Sequence, residues 1–206
     1  MTRTRVLAAT SATSVILAVG AWFAFGPGPG DQFAQCSASQ IAGGTATIGG
    51  PFELISETGE TVTDKDVITN PTIVYFGYTF CPDVCPLDNA RNADAVYMLQ
   101  EQGFDVQPAF ITIDPARDTV EVVKDYTDLF HPDMIGLTGS PEQVKAASKA
   151  YKTYFSKQAD DSEFYLMNHS TFSYLMLPEQ GFVEYFGRDV SAEKMAETAA
   201  CYIGAA

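Results

Sequence analysis

Phe76-Gly77-Tyr78-Thr79-Phe80-Cys81-Pro82-Asp83-Val84-Cys85-Pro86 is the stretch on which the fold turns. It continues Thr72-Ile73-Val74-Tyr75-Phe76, a β-rich apolar run with the pattern of a buried central strand. Gly77 allows the chain to turn, and Pro86, with no N–H to donate, belongs in the first turn of a helix. The order is therefore strand, cysteine loop, helix. This places Cys85 near the N-cap and leaves Cys81 to Val84 in the loop. The helix dipole is then expected to favour a thiolate at Cys85, lowering its pKa and making it the better metal ligand and nucleophile.

Working outward, the apolar spacing from Pro86 to Gln102 predicts a helix closed by Gly103, Val106 to Ile113 a second buried strand, and Thr119 to Phe130 another helix. Met134 to Leu137 reads as a short strand. Ser140-Pro141-Glu142-Gln143 supplies an N-cap, a first-turn proline and an acidic first turn, opening a helix to about Phe155. Thr171 to Leu177 and Phe182 to Phe186 bracket a Pro-Glu-Gln-Gly turn, and Ser191 caps a last helix to Tyr202. Upstream, Phe52 to Ile55 and Thr61 to Thr63 flank Glu57-Thr58-Gly59-Glu60, a hairpin signature. The order predicts an α/β fold: a thioredoxin-like mixed sheet flanked by helices, with an N-terminal hairpin.

The chain of 206 residues, 46% hydrophobic and 18% charged, is too apolar to be disordered and long enough for one buried core. Its net charge of -14, which becomes -16 once Arg3 and Arg5 are set aside, argues against nucleic acid as a partner. Val6 to Phe25 is a run of twenty uncharged residues, the length of a membrane-crossing helix. Arg3 and Arg5 on its short flank place the N-terminus in the cytoplasm and the rest outside, which predicts a single-pass inner-membrane protein facing the periplasm. A cleaved signal peptide is the competing reading. The domain layout is thus residues 1–30 for the basic start, anchor and Gly/Pro breaker, 31–50 for a tether, and 51–206 for the folded domain.

The four cysteines fall into two kinds. Cys36 and Cys201 stand near opposite ends of the exported part, where an oxidising compartment permits a disulfide between them. Cys81 and Cys85 have three residues between them rather than the two of Cys-x-x-Cys dithiol enzymes, which leans toward metal without excluding a disulfide. A third ligand should be a histidine. His169, in Leu166-Met167-Asn168-His169-Ser170, precedes a strand, whereas His131, in Phe130-His131-Pro132-Asp133, reads as a surface loop residue. Met167 and Met176 read as packing side chains rather than thioether ligands. Two thiolates and one imidazole suit Cu(I) best; zinc is the rival, but a structural zinc normally takes four protein ligands.

Gly49-Gly50-Pro51-Phe52-Glu53-Leu54, Val62-Thr63-Asp64, Val74 to Pro86, Thr112-Ile113-Asp114-Pro115-Ala116-Arg117-Asp118-Thr119 and His169-Ser170 together resemble the Sco family of copper chaperones, also called SenC or PrrC in bacteria. The resemblance spans about residues 49 to 203. It implies copper ligands Cys81, Cys85 and His169, copper as Cu(I) and also Cu(II), and Asp114 near the site with an influence on its redox behaviour. It also implies delivery to the copper site of cytochrome c oxidase subunit II or another cuproprotein. The family commonly has an acidic residue where this chain has Asn168. Arg117, Asp118 and Thr119 also read as a turn and helix cap, with Asp118 or Thr119 at the helix start. The alternative function is a thiol-disulfide oxidoreductase that keeps the oxidase cysteines reduced, and a copper or redox sensor is a third class.

Overall fold

The structure, a computed structural model, describes residues 33–36, 48–159, 162 and 164–206. The expected anchor at 1–30 and most of the 31–50 tether lie outside the described residues, among which no helix is long and apolar enough to cross a membrane. The compact unit that carries every element below spans Cys36–Ala206.

In chain order the strands are β1 (Glu53–Ser56), β2 (Thr61–Thr63), β3 (Thr72–Gly77), β4 (Gln107–Thr112), β5 (Ile135–Thr138), β6 (Phe155–Lys157), β7 (Met167–His169), β8 (Ser173–Leu177) and β9 (Gly181–Phe186). The helices are α1 (Asp64–Val67), α2 (Val84–Glu101), α3 (Val120–Thr127), α4 (Pro141–Ala150) and α5 (Ala192–Ala205). Seven strands form a mixed sheet in the order β2-β1-β5-β4-β3-β8-β9, and β6 and β7 form a separate two-stranded sheet. The pairs β3–β4 and β4–β5 are parallel, while β1–β2, β1–β5, β3–β8 and β8–β9 are antiparallel.

Every residue of β3 is buried, which is why its sequence is continuously apolar rather than alternating. Ile73, Tyr75, Phe110, Ile111 and Leu137 are fully buried, and each such side chain contributes about 1.5–3 kcal/mol by leaving water. Helices α2 and α5 pack on each other, α3 rests on β5 and α4 on β1. Helix α2 buries three polar side chains, each with a partner. Asp88 accepts from the Tyr75 hydroxyl at 2.9 Å, Asn89 donates to the Cys85 carbonyl at 3.0 Å, and Asn92 accepts from Ser173 at 2.8 Å.

The β1–β2 hairpin turns where expected, with Gly59 at φ 84°, a left-handed conformation that glycine adopts without strain. The one-turn helix α1 was not expected; Thr63 and Asp66 close a capping box over it. Helix α4 stops at Ala150 instead of continuing to about Phe155. Lys152 takes a left-handed φ of 54° and the Ser148 hydroxyl donates to the Thr153 carbonyl, turning the chain out of the helix and into β6.

His131 is a correction. It is buried, not a surface loop residue: the turn after α3 folds its ring under Tyr97, with 4.2 Å between ring centroids, and Nδ1 accepts from the Asp133 N–H at 3.0 Å. Burial also lowers its pKa.

Candidate metal centre

The strand-loop-helix reading puts the cysteines at the carboxyl end of β3, where sheet proteins place functional groups. Gly77 makes the close approach possible: a Cβ there would stand 2.9 Å from Tyr75, 3.0 Å from the Cys85 sulfur and 3.0 Å from Phe110. Cys81 and Cys85 are both buried and both reduced.

Helix α2 starts two residues before Pro86, with Asp83 at the N-cap and Cys85 in its first turn. The Asp83 side chain makes no capping bond. The sulfur of Cys81 lies at that end instead, accepting from the Cys85 N–H at 3.3 Å and from the Asp83 N–H. This reverses the expected assignment of the thiolate. Hydrogen bonding from the Cys85 thiol, joined by these backbone N–H groups, holds Cys81 well below the ordinary thiol range against the opposing effect of burial. Cys85 moves the other way: it gives its hydrogen bond to Cys81, is buried, and faces the Cys81 charge. The helix end acts on the first cysteine because that sulfur reaches back over the N-terminus, whereas Cys85 points into the core.

His169 lies on β7, not in a loop. It pairs with Phe155 of β6 in the small sheet, which aims its Nε2 at the Cys85 sulfur at 3.4 Å. Its Nδ1 lies 2.8 Å from the Ser170 carbonyl, an acceptor only, so Nδ1 carries the proton and Nε2 presents its lone pair. The ring also meets Tyr78 edge-on at 5.8 Å and Tyr75 at 6.4 Å between centroids. The ligand atoms of Cys81, Cys85 and His169 all lie within 4.8 Å of one another. A modest contraction would bring them onto a single ion. The set is soft and low in coordination number, which favours Cu(I) over Ca²⁺ or Mg²⁺ and offers zinc one ligand too few.

Asp114 is buried just after β4. Its carboxylate accepts from Arg117 Nε at 2.6 Å and from the Tyr165 hydroxyl at 2.7 Å. Asp118 does not cap α3; Thr119 does, accepting from the Val122 N–H at 3.4 Å. Asp118 is instead fully buried, accepting from the Thr79 N–H and hydroxyl and from the Thr112 hydroxyl, so it ties the cysteine loop to β4. Met167 packs against the core and Met176 is buried in it. Away from the site, Cys36 and Cys201 are joined by a disulfide, with their Cα atoms 5.6 Å apart.

Sequence reasoning passed over Tyr75, Tyr78 and Tyr165. Each lay in a quoted stretch or beside one, but nothing in a tyrosine's sequence position distinguishes a core ring from one that braces a ligand.

The SCO1/SenC family matches residues 41–204 of the chain. The chain belongs to this family. Protein SenC of Rhodobacter capsulatus is 49% identical over 203 residues, covering 98% of this chain and 91% of that protein. Among solved structures, Arabidopsis thaliana ScoI with copper bound superposes with a TM-score of 0.70 at 43% identity, covering 75% of this chain and 98% of that one. Yeast Sco1 with copper bound gives 0.71 at 37% identity, covering 77% and 89%. The thioredoxin-like mixed sheet with flanking helices is therefore the Sco fold.

Proposed function

We propose that this Sco/SenC chain is a copper chaperone, anchored in the inner membrane and facing the periplasm, that binds copper through Cys81, Cys85 and His169 and delivers it to subunit II of cytochrome c oxidase or another cuproprotein. The convergence of two thiols and one imidazole within 4.8 Å carries this reading. The copper-bound structures of the Arabidopsis and yeast relatives support the choice of metal. Residues 1–30 serve as the anchor and 31–50 as the tether, a reading supported by the uncharged run from Val6 to Phe25.

Copper is cargo here. Cys81 meets Cu(I) already poised as a thiolate, Cys85 gives up its proton as the metal enters, and Nε2 of His169 completes a three-coordinate set. Three ligands leave room for an incoming donor from the recipient, so the ion passes by ligand exchange rather than by dissociation into water.

The second reading, a thiol-disulfide oxidoreductase serving the oxidase cysteines, draws on the same asymmetry: one sulfur is prepared to attack a disulfide and its neighbour carries a proton. An anaerobic Cu(I) competition titration of the full reduced chain, beside His169→Ala, separates the two. The chaperone reading expects one tight copper per chain and at least a tenfold loss in the variant. Weak binding indifferent to His169 would favour the oxidoreductase.

A further inference from the structure

Cys81 sits on the loop after β3 and Cys85 in the first turn of α2, but His169 belongs to a two-stranded sheet of three residues per strand. Such a ribbon is marginal by itself and needs an external anchor to hold a side chain to within a fraction of an ångström. It is tied to the turn after α4 through Ser170 N–H to the Tyr154 carbonyl at 2.9 Å and Tyr154 N–H to Ser170 Oγ at 3.1 Å, and to the core and the cysteine loop by the packing of Phe155 and Met167 and a hydrogen bond between the Met167 backbone and Tyr78.

Tyr165 adds a further tie. It lies four residues before His169, and its hydroxyl donates to Asp114 Oδ1 at 2.7 Å across 51 positions of sequence. The other carboxylate oxygen accepts from Arg117 Nε at 2.6 Å. The Arg117 guanidinium stands 3.6 Å from the Tyr165 ring centroid, 4.7 Å from Phe80 and 5.8 Å from Tyr78. Lys157, on β6, stands 4.0 Å over the same Tyr165 ring. Asp114 is itself pinned to the end of β4, its N–H donating to Thr112 Oγ1 at 2.9 Å. Cation, ring and carboxylate thus close a ring of contacts that begins on the hairpin and ends on the loop holding Cys81. Tyr78 and Phe80 belong to that loop, and Tyr78 is the side chain that meets the His169 imidazole.

We propose that Tyr165, Asp114 and Arg117 form a clasp that positions His169 over the cysteine pair, so that the third ligand is held in place before metal arrives. The clasp builds on the chaperone reading for its consequence but not for its existence. Asp114 then acts through the hairpin, as a positioning residue, and not by touching metal. A preorganised imidazole slows copper loss, because a freed ligand must be recaptured before the ion leaves.

The test is a double-mutant cycle in the full chain, with Tyr165→Phe, which removes one hydroxyl and keeps the ring, in wild-type and His169→Ala backgrounds. Loss of one hydrogen bond to a charged acceptor corresponds to about a tenfold change. Tyr165→Phe is expected to weaken Cu(I) binding about tenfold, as faster release to a competing chelator, and to have no effect once His169 is alanine. Equal loss in both backgrounds, or none in either, overturns the clasp. Hydrogen exchange of the metal-free chain provides a copper-independent arm: amides of β6 and β7 should exchange several-fold faster in Tyr165→Phe, with β3 and β4 unchanged. Unchanged exchange in the hairpin overturns the clasp whatever copper does. If wild-type copper binding ignores His169 while exchange responds, the clasp stands and the chaperone reading falls.

Discussion

The sulfur of Cys85 stands 3.4 Å from Nε2 of His169 although 84 positions separate them, the one in the first turn of α2 and the other on the two-stranded sheet. The hydrogen bond between the two cysteines, with the Cys81 sulfur on the helix end, sets which of them carries charge before any metal binds. In the reduced, metal-free chain the ultraviolet thiolate band at pH 7 should correspond to one sulfur. It should fade only as acid titrates Cys81, because a lowered thiol pKa keeps the charged form at lower pH. Cys81→Ser should abolish the band at neutral pH, since burial still raises the Cys85 thiol after the hydrogen bond to Cys81 and the Cys81 charge are gone. A strong neutral-pH band surviving in Cys81→Ser would contradict this order.

Gly77→Ala tests the tightness of the seat beneath the cysteines. The added methyl meets Tyr75, Cys85 and Phe110 at 2.9–3.0 Å, and none of these three can swing away, as all are fully buried. Overpacking of this kind costs about 1–3 kcal/mol. Urea unfolding should show a lower midpoint, and Cu(I) titration a weaker site, because the displaced atom includes a ligand sulfur. Unchanged stability would mean that β3 shifts more freely than its burial implies.

The Cys36–Cys201 bridge closes a loop with a sequence separation of 165. In the chain-entropy picture a loop of that size contributes toward the upper end of the 2–5 kcal/mol range seen for native disulfides. Replacing both cysteines by serine should lower the urea midpoint by that order while leaving the affinity for Cu(I) within about twofold. A large loss of copper binding would show that the bridge reaches the site.

Much of this was legible in the sequence, for identifiable reasons. β3 was readable because burial on both faces leaves an uninterrupted apolar run ending at a glycine. The cysteine pair was readable because Pro86 dates the start of the helix to within two residues. The thiolate was misplaced because helix position predicts where a backbone lies, not which way a sulfur points. β6 and β7 were hidden because Phe155-Ser156-Lys157 and Met167-Asn168-His169 are too short to show a period, and their pairing is a tertiary fact. Asp118 and Thr119 both suit a cap, and only the hydroxyls of Thr79 and Thr112 that bind Asp118 decide between them. His131 looked exposed because Pro132-Asp133 follow it at a helix end, and Tyr97, which covers it, lies on another helix.

The disulfide also has a mechanical meaning. A pull applied to the chain ahead of Cys36 and resisted at the C-terminus runs through the sulfur–sulfur bond into α5 and bypasses every residue between the two cysteines. Sheet and ligands lie within the covalent loop that the bridge closes. Tension from the N-terminal side therefore reaches the last helix without stretching the three ligands apart.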